Sequence, residues 1–415
     1  MQYRKMRSTG DELSILGFGC MRLPGKGGDG PFGGKDVDVD RAVKQIRYAI
    51  DHGVNYLDTA LIYGISESVV GKALADGYRA KVKLATKLPS FQVKTREDMD
   101  KLLGVQLKTL QTDHIDYYLL HNPTVEDWER MEKLGFADFV RKAKADGRIR
   151  HIGFSSHNNL PAFKQLVDAY PWEFCQIQYS FMDEGYQAGT EGLKYAASKG
   201  LGIVVMEPLR GGSLTKTPPP AVQAIWDKAD VKRSQAEWGL RWVWNHPEVT
   251  VLLSGMNDER HIEENLRIAG EALPDSLSEK ELALVERVRG AYRTKVGCTG
   301  CRYCMPCPSG VNIPACFELY NSLSWQDPRH VKFVYMIQVG SGFGGLGKKG
   351  YASQCKNCGK CVKHCTQHID IPKELDAAAK ALESPDMKAM RLVFGPVFGG
   401  LMRYNRWKKM RKSRD

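Results

Sequence analysis

Four residues of types that move protons stand close together early in the chain: Asp58, Tyr63, Lys87 and His121. Asp58 ends a short run, Tyr56-Leu57, of strand type. Tyr63 follows five residues later, ahead of Gly64 and a helix-starting Ser66-Glu67-Ser68. Lys87 closes the apolar run from Val82, and His121 closes the run from Ile115. Side chains just past the carboxyl ends of successive strands share one mouth of a parallel sheet. A free tyrosine hydroxyl titrates near about 10. A neighbouring ammonium stabilises its phenolate, and a carboxylate holds that ammonium in place. The same residues also fit a blander reading, a buried Asp–Lys ion pair with a core histidine.

A second set of chemical residues lies late in the chain. Eight of the eleven cysteines fall in two groups, residues 298–307 and 355–365. Spacings of two or three residues are too short for a secreted disulfide framework and fit metal ligation in a reducing compartment. Cys355, Cys358, Cys361 and Cys365 have the ligand spacing of a bacterial ferredoxin run, with Thr366 where proline is usual. Cys298, Cys301, Cys304 and Cys307 keep the proline, Pro308, but are one residue shorter before the last cysteine. Structural zinc in Cys₄ tetrahedra is the competing assignment. The triplet followed by proline favours iron–sulfur, because one loop can wrap three corners of a cubane. Gly310–Pro314 and Gln367–Pro372 follow the two groups in matching positions, an internal repeat. Cys20, Cys175 and Cys316 stand apart and read as ordinary buried residues.

The elements that must position the first set alternate along the chain. Strand-like runs fall at 54–58, 82–87, 115–121, 149–154, 174–179, 202–207 and 249–254. Helical periodicity falls at 40–52, 66–76, 97–110, 136–146, 160–169, 189–199, 234–245 and 258–268. The strands are nearly continuous apolar runs, as buried parallel strands are. The fold class is therefore α/β, a (β/α)₈ TIM barrel, with one strand or helix less obvious than the rest. Leu13–Cys20 reads as a short hairpin and strand entry lidding one end. An open doubly wound sheet is the rival, but no G-x-G-x-x-G follows the first strand. A capped helix within 273–292 ends the barrel. The expected division is 1–290 for the barrel, 291–385 for a small α-helical ferredoxin-like iron–sulfur domain and 386–415 for a basic tail.

In order and context, Asp58, Tyr63, Lys87 and His121 resemble the catalytic tetrad of the aldo-keto reductases, over roughly residues 1–285. The resemblance implies that Tyr63 gives a proton to a substrate carbonyl oxygen while a nicotinamide, NADP or NAD, gives hydride to carbon. It implies that Ser155, Ser156 and Gln176 hold the carboxamide, and that Met206 stands where an aromatic residue often stacks on the ring. Leu209 and Gly211 fall in the turn along which the pyrophosphate passes. Glu264 and Asn265 match adenine contacts. At the positions where NADPH-specific relatives carry Lys and Arg, this chain has Gly255 and His261. Arg260 is one residue out of register, turned away by about 100° on a helix. In two-cluster ferredoxins the fourth cysteine of each run ligates the other cluster. By that resemblance Cys298, Cys301, Cys304 and Cys365 hold one [4Fe–4S], and Cys355, Cys358, Cys361 and Cys307 the other.

Composition narrows the partners. The chain has 415 residues and a net charge of +12, but residues 403–415 carry seven basic side chains against one acidic. The basic balance is thus largely a tail property and not the mark of a nucleic-acid-binding body. The tail is expected to rest on an acidic partner or membrane surface, or simply in solvent. No apolar run follows Met1 and none is long enough to span a bilayer, so a cytoplasmic location is expected. The glycine-rich stretches 25–34 and 339–347 read as loops. The function expected is carbonyl reduction or alcohol oxidation on a small molecule, with a redox protein as a further partner for the clusters. Hydride carries two electrons and each cluster passes one, which leaves room for a flavin as mediator. The alternative is a redox-responsive binding or electron-transfer subunit whose barrel is largely non-catalytic.

Overall fold

The structure, a computed structural model, describes residues 1–25, 37–292, 294–324, 326–340 and 350–383. The expected loop at 25–34 beyond Gly25, the loop at 339–347 beyond Gly340, and the basic tail lie outside these residues.

Two strands, β1 (Tyr3–Lys5) and β2 (Glu12–Ser14), form an antiparallel hairpin. Eight more close a parallel barrel: β3 (Leu16–Gly19), β4 (Tyr56–Asp58), β5 (Lys83–Pro89), β6 (Ile115–His121), β7 (Ile149–Ser156), β8 (Phe174–Gln178), β9 (Gly202–Met206) and β10 (Val249–Ser254). Neighbours follow chain order, and β10 closes the ring on β3. Each of the seven expected strands is present within a few residues. The eighth is Leu16–Gly19, inside the stretch expected to be a hairpin and lid. The hairpin lies earlier because a single residue, Ile15, separates β2 from β3, and Leu16 and Gly17 already pair with Leu252 and Leu253.

The hairpin plugs the amino-terminal end of the barrel. Met6 and Leu13 pack with Tyr56, Ala85, Tyr117, Leu119, Phe174, Val204 and Val251 into one interior cluster. Gly202 makes room for this plug, since a Cβ there would collide with the Met6 side chain. Asn55, just before β4, ties the plug down by accepting from the Ser14 amide at 2.7 Å and donating to the Glu12 carbonyl at 3.0 Å. The opposite, carboxyl end of the strands is left for the site.

The expected helices are present, from Val39–Asp51 through Glu259–Glu271 and Glu279–Ala291. Val125–Lys133 was not legible from periodicity. Its start is fixed instead by a capping box between Thr124 and Asp127.

The chain divides into two compact units. One is Met1–Lys216 with Ala229–Arg289; the other takes Thr217–Lys228 and the chain from Gly290 onward. The helix Pro220–Trp226 thus belongs to the second unit. That unit's core gathers Val311, Phe317, Val331, Tyr335, Leu375 and Leu382 from the helices Ile313–Ser322, Pro328–Gln338 and Ile371–Leu382 and the loops around them. The repeat seen in the sequence is structural: Pro314 and Pro372 each sit in the first turn of a helix, where their fixed φ favours the helical start. Among the described residues no helix is long and apolar enough to cross a membrane.

Candidate active site

Strand alternation builds the cleft. Side chains two residues apart share a face, so Asp58 lies above Tyr56, Lys87 above Ala85, His121 above Leu119, Gln176 above Phe174 and Met206 above Val204. The lower members of these pairs form the apolar interior cluster. The upper members form a mostly polar layer at the carboxyl end, where catalytic side chains of such barrels sit.

Lys87 is the centre of that layer and is 1 % exposed. Its Nζ donates to both carboxylate oxygens of Asp58 at 2.7 Å and to the Thr59 carbonyl at 2.8 Å. Burial pushes the Lys87 ammonium down and the Asp58 carboxyl up, and their attraction opposes both. Tyr63 is buried with its ring centroid 5.0 Å from Lys87 Nζ and 6.1 Å, edge-on, from the His121 ring. Burial holds His121 well below the usual histidine range, with the charges of Lys87 and His157 adding to it. His121 is thus neutral, and its buried Nδ1 has no hydrogen-bond partner. The four expected residues are therefore brought together.

Supporting groups escaped the sequence reading. The buried Glu67 carboxylate accepts from Thr86 Oγ1 at 2.7 Å and Gln106 Nε2 at 2.9 Å, on the face of the strand opposite the Lys87 side chain. Gln106 also donates to the Lys87 carbonyl at 3.0 Å and accepts from the Tyr118 hydroxyl at 2.8 Å. Only the polar Gln106 on a helix face otherwise buried (Met99, Leu103, Leu110) hinted at this network. Cys20 is buried near Asp58, and burial pushes its thiol up, so it stays protonated.

The other expected binding residues lie on or after strands β7 to β10. Ser155 and Ser156 end β7; the Ser155 hydroxyl accepts from the Asn122 amide at 3.0 Å. Gln176, on β8, is buried beside Ser155. Its Nε2 approaches Met206 Sδ at 3.5 Å, and its Oε1 has no partner. An orphaned acceptor in a polar layer fits an amide N–H donor such as a carboxamide. Past β9, Leu209 precedes a 3₁₀ turn in which Gly211 has φ 66°. The Gly211 carbonyl accepts from Arg22 at 2.6 Å, a contact the sequence did not suggest. On the helix after β10, Asn265 is buried and donates to Ser254 Oγ at 2.9 Å, while Glu264 is half-buried. Gly255 and His261 are exposed. The Arg260 side chain is 86 % exposed and donates to Asp258 at 3.0 Å.

In the second unit seven of the eight grouped cysteines are buried or half-buried, and Cys358 is exposed. Burial raises the Cys304 thiol, and the nearby thiols of Cys301, Cys298, Cys365 and Cys361 raise it further. Burial raises Cys361 too, with Cys307, Cys355 and Cys358 adding to it. Both thiols thus have neighbours from the other run. The Gly300 amide donates to Cys298 Sγ at 3.4 Å, and Cys301 Sγ lies 3.6 Å from Thr366 Oγ1. Among the described residues no three His, Cys, Asp or Glu approach closely enough to share one metal ion. Cys20, Cys175 and Cys316 are buried.

Similarity to known proteins agrees with this geometry. Uncharacterized oxidoreductase YrpG of Bacillus subtilis is 31% identical over 243 residues, 52% of this chain and 68% of that protein. L-galactose dehydrogenase of Arabidopsis thaliana is 25% identical over 313 residues, 69% of this chain and 94% of that protein. Among solved structures, the holo form of aldo-keto reductase AKR11C1 from Bacillus halodurans superposes with a TM-score of 0.57 at 25% identity, covering 69% of this chain and 96% of that one. An aldo/keto reductase from Klebsiella pneumoniae in complex with NADP and acetate shares the fold, with a TM-score of 0.55 at 23% identity, over 71% of this chain and 99% of that one. A family model for a 4Fe-4S dicluster domain matches residues 297–369. The aldo/keto reductase family model matches residues 15–288, from the strand that precedes the plugged barrel's first helix to the helix that ends it, and the chain belongs to that family.

Proposed function

We propose that the barrel reduces the carbonyl of a small molecule, or runs the reverse oxidation, with Tyr63 as proton donor. The observation that carries this is Lys87 Nζ, fixed by both oxygens of Asp58 at 2.7 Å and set 5.0 Å from the Tyr63 ring. A fixed cation stabilises the charge that grows on the tyrosine oxygen as its proton leaves. Asp58 and the Thr59 carbonyl stop Lys87 from swinging away. Neutral His121, with one ring nitrogen bare, can direct a hydrogen bond at the substrate oxygen without competing as a charged acid. Glu67 and Gln106 fix the strand that carries Lys87, through the Thr86 hydroxyl and the Lys87 carbonyl.

Ser155, Ser156, Gln176 and Met206 would hold a nicotinamide ring, Leu209 and Gly211 its pyrophosphate, and Glu264 and Asn265 its adenine. When bound, that cofactor supplies hydride. Support comes from the orphaned Gln176 Oε1 and from the Klebsiella pneumoniae relative, whose complex contains NADP. Cys298, Cys301, Cys304 and Cys365 would hold one [4Fe–4S] cluster, and Cys355, Cys358, Cys361 and Cys307 the other. Such clusters pass single electrons.

Tyr63→Phe tests the proton donor. Steady-state carbonyl reduction should fall by about 10²–10⁴-fold, with nicotinamide binding, read by fluorescence titration, unchanged. Wild-type turnover in the Phe variant would sink the assignment.

A further inference from the structure

The two cysteine loops differ in a way that ligation does not require. Between Ser353 and Ile369 the chain carries Lys356, Lys360 and Lys363, with His364 and His368, and no acidic residue. All five are exposed. Among the described residues none of the three lysines enters an ion pair. In their midst stands Cys358, the single exposed cysteine of the eleven. Beside it Gly359 has φ 68°, and a side chain built there would meet nothing within 4 Å, so the loop faces open solvent. Val362, 39% exposed, adds an apolar spot to the same loop.

The first loop is built otherwise. From Cys298 to Cys307 it has one cation, Arg302, which is half-buried. Thr299 and Cys301 are buried, and no cysteine of that run is exposed. If the lysines served only to offset the charge of a ligated cluster, both loops would need them. They concentrate instead where a ligand reaches the surface.

We propose that Lys356, Lys360 and Lys363, set around Cys358, form the docking face for a small acidic one-electron carrier protein of the ferredoxin class. This rests on the reading that Cys355, Cys358, Cys361 and Cys307 hold a cluster. The step is one electron: the reduced carrier loses it, the cluster gains it, and no bond or proton changes hands. Exposed lysines attract an acidic partner over about a Debye length, roughly 10 Å, without any cost of desolvation. Transient redox encounters use small interfaces whose rim charges set the rate of association. A single-stranded nucleic acid is the other polyanion such a face invites. It needs aromatic platforms on which bases stack, and residues 352–369 hold no Phe, Tyr or Trp.

The test uses the full chain with its clusters and the variant Lys356→Glu/Lys360→Glu/Lys363→Glu. Iron and sulfide content and the EPR spectrum come first; a wild-type protein with no cluster would remove the ligation reading itself. With clusters present in both proteins, stopped-flow reduction by an acidic bacterial ferredoxin is followed at low and high salt. The wild-type second-order rate should fall as salt rises. The variant should be slower by about tenfold or more at low salt, with a flattened salt dependence. Calorimetric affinity for oxidised ferredoxin should drop in parallel, while photoreduction by neutral 5-deazariboflavin stays equal in the two proteins. Equal ferredoxin rates and equal salt dependence would overturn the proposal, and so would binding of a single-stranded oligonucleotide with none of ferredoxin.

Discussion

Lys87 on β5 and Asp58 on β4 face each other across adjacent strands, with the ammonium 2.7 Å from both carboxylate oxygens and both side chains almost wholly buried. The barrel register explains the meeting. Asp58 pairs with Ala85, so Lys87 stands one inward-facing position further along its strand and reaches back. A flexible four-carbon stem makes that reach feasible, and the Thr59 carbonyl completes the ammonium's hydrogen bonds.

Breaking this pair should cost more than removing it. Asp58→Asn leaves Lys87 buried with no charge partner, a change worth about 3–5 kcal/mol of destabilisation. The double variant Asp58→Leu/Lys87→Met should recover most of that stability while remaining inactive. Denaturant titration of the three proteins checks the order. A single variant within about 1 kcal/mol of wild type would contradict the uncompensated-charge argument.

His121 should be silent in the activity profile near neutral pH. Its protonated form is disfavoured by burial and by Lys87 and His157, so kcat/KM should show no histidine limb near 6.5. The sign for stability is the reverse of a salt-bridged histidine. The unfolded chain takes up a proton near about 6.5 and the folded one does not, so stability falls as pH drops below that value. His121→Asn should lose this slope. Urea unfolding from pH 7 to pH 5 for both proteins measures it.

Cofactor choice should be weakly biased. Gly255 and His261 are exposed, Arg260 is held by Asp258, and Arg41 is held by Glu259 in a two-pronged ion pair. A charge-assisted phosphate contact is worth about 1.5–3 kcal/mol, and none of these described cations is free to make one. NADPH and NADH should therefore support kcat/KM within about tenfold of each other. A thousand-fold preference for NADPH would point to a cation not identified above.

At the amino-terminal end, Glu173 should govern acid stability. Burial alone would raise its carboxyl, but hydrogen bonds from His151, Lys144 and the Ile152 amide hold it down to about 2. Its contribution is thus present above the unfolded value near 4.5 and is lost as pH falls towards 2. Glu173→Gln should lower stability by about 1–3 kcal/mol at pH 7 and by roughly half as much at pH 3. Equal destabilisation at both values would rule out an electrostatic role.

Local rules account for what the sequence by itself determined. Each barrel strand from β4 to β10 is a short apolar run, and burial on both faces of a parallel strand forces that pattern. Asp58, Lys87 and His121 stand out because each is a charged or titratable residue at the end of such a run. The two cysteine runs are equally local, since three ligands within seven residues need only one loop to bring them together. The first barrel strand was not legible, because Leu16–Gly19 contains two glycines and follows the hairpin after a single residue. Its identity depends on pairing with β10, more than two hundred residues away. Long-range packing likewise decided the rest. Nothing near Glu67 in the chain announces Thr86 or Gln106, and nothing near Gly211 announces Arg22. That Cys304 and Cys361 each have cysteine neighbours from the other run is also tertiary, because the distance between loops some fifty residues apart is not set by the spacing of the cysteines within each run.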